Sequence, residues 1–312
     1  MAKIRFGTDG WRARIAEEYT FDNVRRVAQG FAEYLKQNGL ADRGVVVGYD
    51  RRFASNDFAA AAAEVMAGNG IGVWLTHRYC PTPIVSYTIK ERGAGGAINI
   101  TASHNPPTDN GFKVRDADGA AIAPEGLAEI ESHIPETGED VNYMAIDQAE
   151  QKGLVRRWDP DPAYIAHLGE LVDLDQLRHA GRKILVDPMW GNAAGWFPRL
   201  LGNGTNTIWE MHADHNPLFP GMTRPEPIEP NIDPALARTV ELGADVCLIC
   251  DGDADRMGIG DEHGVYIDQL RAYALLAYYL LEVRGERGPI VKTISTTSML
   301  NRLAEIYGVE IY

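Results

Sequence analysis

Cysteine is scarce, with Cys80, Cys247 and Cys250 the only three in 312 residues. An odd, sparse set argues against a disulfide framework and fits a reducing compartment. Long apolar runs are also missing. The longest, near Ala272 to Leu281, is too short to span a bilayer, and Met1-Ala-Lys-Ile-Arg5 carries no apolar signal segment. A cytoplasmic protein with no membrane partner is expected. No lysine/arginine cluster stands out, and the formal net charge is −14. That field repels a polyanion, so no nucleic-acid partner is expected. A small phosphorylated ligand meets the same field, and a site for one must gather its own positive charge. Two catalytic signatures are absent: Gly-x-Ser-x-Gly, the hydrolase elbow, and the P-loop Gly-x-x-x-x-Gly-Lys-Ser/Thr. What remains is a chain that is 45% hydrophobic and 24% charged without low-complexity tracts. It is long enough for a large core and for two or three domains.

Helical and strand periods alternate along it. Thr20 or Asp22 caps a helix in which Val24, Val27, Ala28, Phe31 and Leu35 recur at helical spacing. Buried strands are expected at 45–47, 71–75 and 97–100, with helices at 55–66 and 84–90 between them. Asn110-Gly111 reads as a hairpin-type turn. The same grammar returns with strands at 183–186, 207–209 and 244–250, a helix at 234–242 and a returning strand at 257–260. A last unit offers a helix at 268–281, a strand at 290–294 and a helix at 297–306. The fold class is α/β: consecutive three-layer α/β/α domains with mixed sheets, at 1–150, 151–262 and an incomplete 263–312.

Two distant stretches carry the chemistry. Thr101-Ala-Ser-His-Asn-Pro-Pro107 follows the third strand, at the carboxyl end where such sheets bind ligands. Asp251-Gly-Asp-Ala-Asp-Arg256 follows another buried strand. In extended backbone its three carboxylates, at alternate positions, point to one side. Their repulsion raises their pKa values unless a cation intervenes, and magnesium shares carboxylates with phosphate oxygens. Asp251, Asp253 and Asp255 also match the first, third and fifth ligands of a calcium EF loop, with Glu262 twelfth. Arg256 stands where that loop requires glycine, and 246–249 is strand-like, so an EF-hand is excluded. Cys247 and Cys250 have zinc-knuckle spacing but no second pair, and read as core thiols. If folding unites the two stretches, Ser103 carries a phosphoryl group against a divalent cation held by Asp251, Asp253 and Asp255. His104 and Lys113 stand nearby for proton transfer. Phe6-Gly-Thr-Asp-Gly-Trp-Arg12 reads, on residue type alone, as a tight polar turn.

These stretches, with Asn110-Gly-Phe-Lys113, resemble the phosphoglucomutase/phosphomannomutase family, the α-D-phosphohexomutases, from the N-terminus to Tyr312. The resemblance implies four domains around a central cleft. It implies Ser103 as phosphoryl carrier and Asp251, Asp253 and Asp255 as Mg2+ ligands, with the phosphoserine oxygen completing the metal site. It puts His104 and Lys113 near the transferred phosphate, Arg256 behind the metal triad and Arg12 in the active site. The implied activity interconverts hexose 1-phosphate and hexose 6-phosphate, of glucose or mannose, through a bisphosphate and with glucose 1,6-bisphosphate as priming donor. The sugar-recognition loop Gly-Glu-x-Ser-Gly and the phosphate loop Arg-x-Ser-Gly-Thr-Glu are not found. The chain is therefore expected to be the N-terminal portion of a mutase, weak or inactive alone. It is expected to be a monomer or a weak dimer promoted by its incomplete third unit. The alternative is a non-catalytic metal-binding or regulatory protein retaining the mutase fold.

Overall fold

The computed structural model describes residues 4–7 and 10–312. Thr8 and Asp9, inside the first expected turn, lie outside the described residues. The first domain runs β1 (Trp11–Arg14), α1 (Phe21–Gln37), β2 (Val45–Tyr49), α2 (Ser55–Gly68), β3 (Val73–Thr76), α3 (Thr82–Arg92), β4 (Gly96–Ile100), β5 (Asp109–Arg115), α4 (Pro124–Ser132), α5 (Ile146–Gln151) and β6 (Val155–Trp158). Its strands pair in the order β1-β5-β4-β2-β3-β6. The four strands from β4 to β6 are parallel, while at one side β5 runs antiparallel between β4 and β1. Every residue of β2 and of β4 is buried, as expected for strands covered on both faces. Val45 and Val47 face the larger core under α1 and α2. Val46 faces a smaller one with Val85 and Ile89 of α3. Three layers follow from that alternation.

Local signals set the helix ends. Thr20 caps α1, its hydroxyl accepting from Asn23 N at 3.3 Å. In α2, Ala59, Ala61, Ala62 and Ala63 are all nearly inaccessible. Side chains that small let the helix lie close on the sheet.

The second domain repeats the plan: α6 (Asp161–Leu171), α7 (Leu174–Arg178), β7 (Lys183–Asp187), α8 (Trp196–Leu201), β8 (Thr207–Glu210), α9 (Asp233–Leu242), β9 (Val246–Cys250), β10 (Met257–Asp261) and β11 (Tyr266–Ile267). Its sheet order is β11-β10-β9-β7-β8, with β9, β7 and β8 parallel and β10 antiparallel between β9 and β11. The chain goes on through α10 (Gln269–Tyr278), a π-helical turn (Tyr279–Val283) and α11 (Met299–Tyr307). No helix among the described residues is long and apolar enough to cross a membrane.

Three sequence expectations change. First, Asn110 and Gly111 form no turn. They lie inside β5, paired with Ala13 and Arg12 of β1. The Asn110 amide serves the fold there, donating to Ser55 Oγ at 2.9 Å and accepting from Gly111 N at 2.8 Å. Second, residues 290–294 form no strand. A single bridge joins Ile290 to Ile311, main-chain bonds to 310–312 reach only as far as Lys292, and Ile294 is fully exposed. Third, the first sheet runs past residue 150, since β6 adds to its edge beside β3.

Gly111 is required by packing. A Cβ there would sit 2.4 Å from Thr101 O, a backbone atom that cannot swing away. Gly111→Ala is expected to destabilise the chain by about 1–3 kcal/mol, read as a lower urea midpoint. Gly72→Ala, where a Cβ meets nothing within 4 Å, should leave the midpoint close to wild type.

Candidate active site

Both chemical stretches leave the carboxyl ends of parallel strands, β4 and β9, and the two domains bring those ends face to face. After β4 the backbone turns sharply. Ser103 N donates to Thr101 Oγ1 at 2.8 Å, and Ser103 takes φ 51°, a left-handed conformation that costs energy for a non-glycine residue and recurs at functional sites. The turn aims Ser103 at the second domain. Its Oγ donates to Asp251 Oδ2 at 3.0 Å, a contact between residues 148 apart in sequence. His104 Nδ1 lies 3.4 Å from the same oxygen.

The acidic loop is curled, not extended as the alternate spacing suggests. Ala254 adopts φ 59°, and Asp251 Oδ1 accepts from Asp255 N at 3.1 Å and Arg256 N at 3.0 Å. Curling still gathers the carboxylates, because one oxygen from each of Asp251, Asp253 and Asp255 lies within 4.8 Å of the others. The first domain clamps the middle one. Asp253 Oδ2 accepts from Thr82 Oγ1 at 2.7 Å and from Lys113 Nζ at 2.9 Å, while Thr82 N donates to Asp253 O at 2.9 Å. Asn99 Nδ2 donates to Thr82 Oγ1 at 2.8 Å, fixing its hydroxyl direction. Lys113 Nζ also reaches Asp255 Oδ2 at 3.5 Å.

Charge balance differs across the triad. Burial pushes the Asp251 carboxyl well above the ordinary carboxylate range, and the charges of Asp253 and Asp255 push it further. Burial pushes Asp253 the same way, but the Lys113 ammonium and the hydrogen bonds it accepts win and hold it below that range. The other oxygen of Asp253, Oδ1, is buried and accepts no hydrogen bond from the described residues. An orphaned carboxylate oxygen beside two more carboxylates is a set of hard donors that could hold a divalent cation.

The remaining expected residues lie around this centre. Arg12 Nη1 donates to Asn105 Oδ1 at 2.9 Å, bracing the serine loop from β1. Arg256 Nη1 donates to Glu226 Oε1 at 2.6 Å. His104 is held down to about 4 by burial first, then by the Arg256 guanidinium, with Arg12 and Arg224 adding and Glu226 opposing.

Several site residues had no motif to announce them. Arg52, only 3% exposed, carries the serine loop. It donates to Ser103 O and Asn105 O, each at 2.6 Å, and to Pro106 O at 2.7 Å and Asp109 O at 3.1 Å. Asp50 Oδ2 lies 3.2 Å from its Nε. Its neighbour Arg51 points the other way and donates to Gly191 O at 3.2 Å and Ala213 O at 2.9 Å in the second domain. Two arginines directly after a buried strand were the available signal, since ligand sites gather at that end of the sheet. Thr82 and Glu226 had none.

Comparison with known proteins follows the same division into two domains. The family description "Phosphoglucomutase/phosphomannomutase, alpha/beta/alpha domain I" matches residues 3–140, and its domain II counterpart matches residues 162–264. A Thermococcus kodakarensis relative described as a phosphoglucomutase/phosphomannomutase is 30% identical, over 100% of this chain and 66% of its own length. A Pyrococcus furiosus relative, described as a candidate phosphoglucosamine mutase, is 32% identical over 98% of this chain; the chain spans 64% of that relative. A crystal structure from Thermus thermophilus, described as a candidate phosphomannomutase, superposes with TM-score 0.88 and 34% identity, over 99% of this chain and 68% of that one.

Lys113 and Asp253 are both buried, with side chains 1% and 0% exposed. Lys113→Met leaves that carboxylate without its ammonium and is expected to cost about 3–5 kcal/mol. A millimolar divalent cation should raise the melting temperature of Lys113→Met more than that of wild type, as measured by thermal denaturation with and without chelator.

Proposed function

The chain belongs to the phosphoglucomutase/phosphomannomutase family, and on that premise we propose that it transfers a phosphoryl group between Ser103 and a hexose phosphate. The observation that carries the reading is the 3.0 Å contact of Ser103 Oγ with Asp251 Oδ2. It joins a strained, buried serine of the first domain to the carboxylate triad of the second. The chain spans 64% of the length of the Pyrococcus furiosus relative, so the activity of the whole mutase cycle is part of the proposal.

In the forward half-reaction the bond between Ser103 Oγ and phosphorus breaks as a bond from a sugar hydroxyl forms. The hydroxyl loses its proton, and Ser103 ends as a free hydroxyl. Return of the other phosphate of the bisphosphate to Ser103 completes the isomerisation of hexose 1-phosphate and hexose 6-phosphate. Glucose or mannose is the sugar, and glucose 1,6-bisphosphate is the priming donor. Asp251, Asp253 and Asp255 would hold Mg2+, which supplies Lewis-acid stabilisation of the charge on transferred oxygens.

The chain's own residues do the rest. His104 Nδ1, 3.4 Å from Oγ, is within reach to exchange the serine proton as the ring reorients. Lys113 brings positive charge to the triad side of the phosphoryl group. Arg52 fixes the carbonyls of the serine loop, so Oγ does not drift when the group leaves. Arg12 braces that loop from β1.

Incubation with Mg2+ and glucose 1,6-bisphosphate, followed by phosphopeptide mass spectrometry, tests the reading. Phosphate is expected on Ser103 and is lost in Ser103→Ala. Asp253→Ala should slow its appearance by about 100-fold or more. A folded wild-type chain that gains no phosphate at Ser103 sinks the proposal.

A further inference from the structure

Phosphoryl transfer at Ser103 needs its Oγ held against a carboxylate of another domain, so whatever fixes the two domains also fixes the chemistry. The chain passes from one to the other along Asp159-Pro160-Asp161, between β6, on the edge of the first sheet, and α6 of the second domain. Proline stiffens the crossing, because its ring fixes φ. Asp161 is the unusual residue there. Its side chain is 3% exposed, a degree of burial that aspartate almost never shows unless it is paired. One oxygen, Oδ2, accepts from Arg78 Nη2 of the first domain and from Arg199 Nη1 of the second. The other, Oδ1, is buried and accepts no hydrogen bond from the described residues. Both guanidinium groups lie over the ring of Trp196, Arg78 at 5.7 Å and Arg199 at 5.0 Å from its centroid. Two like charges, one from each domain, thus share a single indole, and a single carboxylate oxygen draws them together.

Arg78 belongs to a short loop between β3 and α3 whose residues reach into the second domain one after another. Tyr79 stacks on His215, with ring centroids 6.3 Å apart. Cys80 O accepts from Asn192 Nδ2 at 2.7 Å, and Asn192 N donates to Gly252 O at 3.0 Å, so this contact ends on the acidic loop. Thr82 holds Asp253 directly, through its amide at 2.9 Å and its hydroxyl at 2.7 Å. Meanwhile Cys80 N donates to Tyr49 O at 3.0 Å, tying the loop to the end of β2. Pro81 stiffens the last step. A shift at Arg78 therefore has little chain in which to dissipate before it reaches Asp253, and Asp251 of the same acidic loop is the acceptor of Ser103 Oγ.

We propose that Asp161 is a positioning residue for phosphoryl transfer at Ser103: by holding Arg78 and Arg199 together it locks residues 77–82 to the second domain and sets the serine against the carboxylate triad. Its effect on rate rests on the phosphoryl-transfer reading, whereas its effect on the placement of the domains does not.

Asp161→Asn keeps the size of the side chain and removes the charge, leaving two guanidinium groups to repel each other across the boundary. Two measurements on the full chain read the consequence. One is the rate of phosphate gain at Ser103 per folded molecule, at saturating glucose 1,6-bisphosphate with Mg2+, followed by mass spectrometry. The other is the distance between spin labels on Gln37→Cys in α1 and Ala237→Cys in α9, both exposed positions, by pulsed electron paramagnetic resonance, with the singly substituted chains as background. Asp161→Asn should slow phosphate gain by about tenfold or more, as a small misplacement remote from the reacting atoms can, and should broaden the distance distribution. Asp161→Glu keeps the carboxylate and should recover part of both. Val27→Ala, in the core of the first domain, should lower the melting temperature and change neither. If Asp161→Asn does not fold, Arg78→Gln, at a side chain 29% exposed, takes its place with the same expected signs. A folded Asp161→Asn with wild-type rate and wild-type distances makes the clasp merely stabilising and overturns the proposal, whatever its melting temperature. A broadened distribution at an unchanged rate, or a slowed rate without broadening, overturns the positioning role as well. Broadening in Asp161→Asn, with no phosphate gain even by wild type, removes the transfer reading and leaves the lock standing. Phosphate gain by wild type that Asp161→Asn does not alter does the reverse.

Discussion

Three carboxylates within 4.8 Å of one another, two of them fully buried, are the constraint around which this structure is arranged. Alone they would repel and take up protons. Lys113 answers part of the charge from β5 of the other domain, and Thr82 and Ser103 answer part of the hydrogen-bonding demand. The deficit that remains is localised. Asp251 is driven strongly toward its protonated form, and one buried oxygen of Asp253 accepts no bond from the described residues. Such a site is electrostatically incomplete by itself, and its hard oxygen donors could hold a divalent cation.

That arrangement depends on backbone meeting backbone across the domain boundary. A Cβ on Gly252 would lie 2.6 Å from Ser103 O, so glycine in the acidic motif is what lets the serine loop come close. Arg51 and Arg52, adjacent in sequence, divide the work of holding that approach. Arg52 binds three carbonyls of its own domain's serine loop and a fourth at the start of β5, and Arg51 binds two in the second domain. Carbonyl acceptors suit arginine because its planar fork can satisfy several at once. The serine is therefore placed by a frame of main-chain bonds and does not rely on its own rotamer.

The distribution of charge resolves an apparent conflict. A net charge of −14 disfavours anionic ligands at long range, yet Arg12, Arg224 and Arg256 all act on the His104 ring. The diffuse negative field is screened by salt, whereas charges held close to a half-buried ring are screened much less.

The sequence by itself determined the alternation of strands and helices, because burial on both faces writes runs such as Val45-Val-Val47 and amphipathic spacing writes α1. It also marked Ser103 and the acidic triad, because strand ends followed by chemically costly residues are local features. Tertiary structure decided the rest. Asn110-Gly111 has the composition of a turn, but β1 pairs with it residue for residue and Thr101 N donates to Gly111 O, which hold it as strand. The triad's ligand geometry comes from a left-handed Ala254, which no spacing rule reports. The roles of Thr82, Arg52 and Glu226 arise from partners 171, 51 to 57 and 30 residues away. A threonine, an arginine and a glutamate look ordinary in sequence. Only tertiary structure gives each its partner: Arg52 and Glu226 within their own domains, and Thr82 across the boundary between the two.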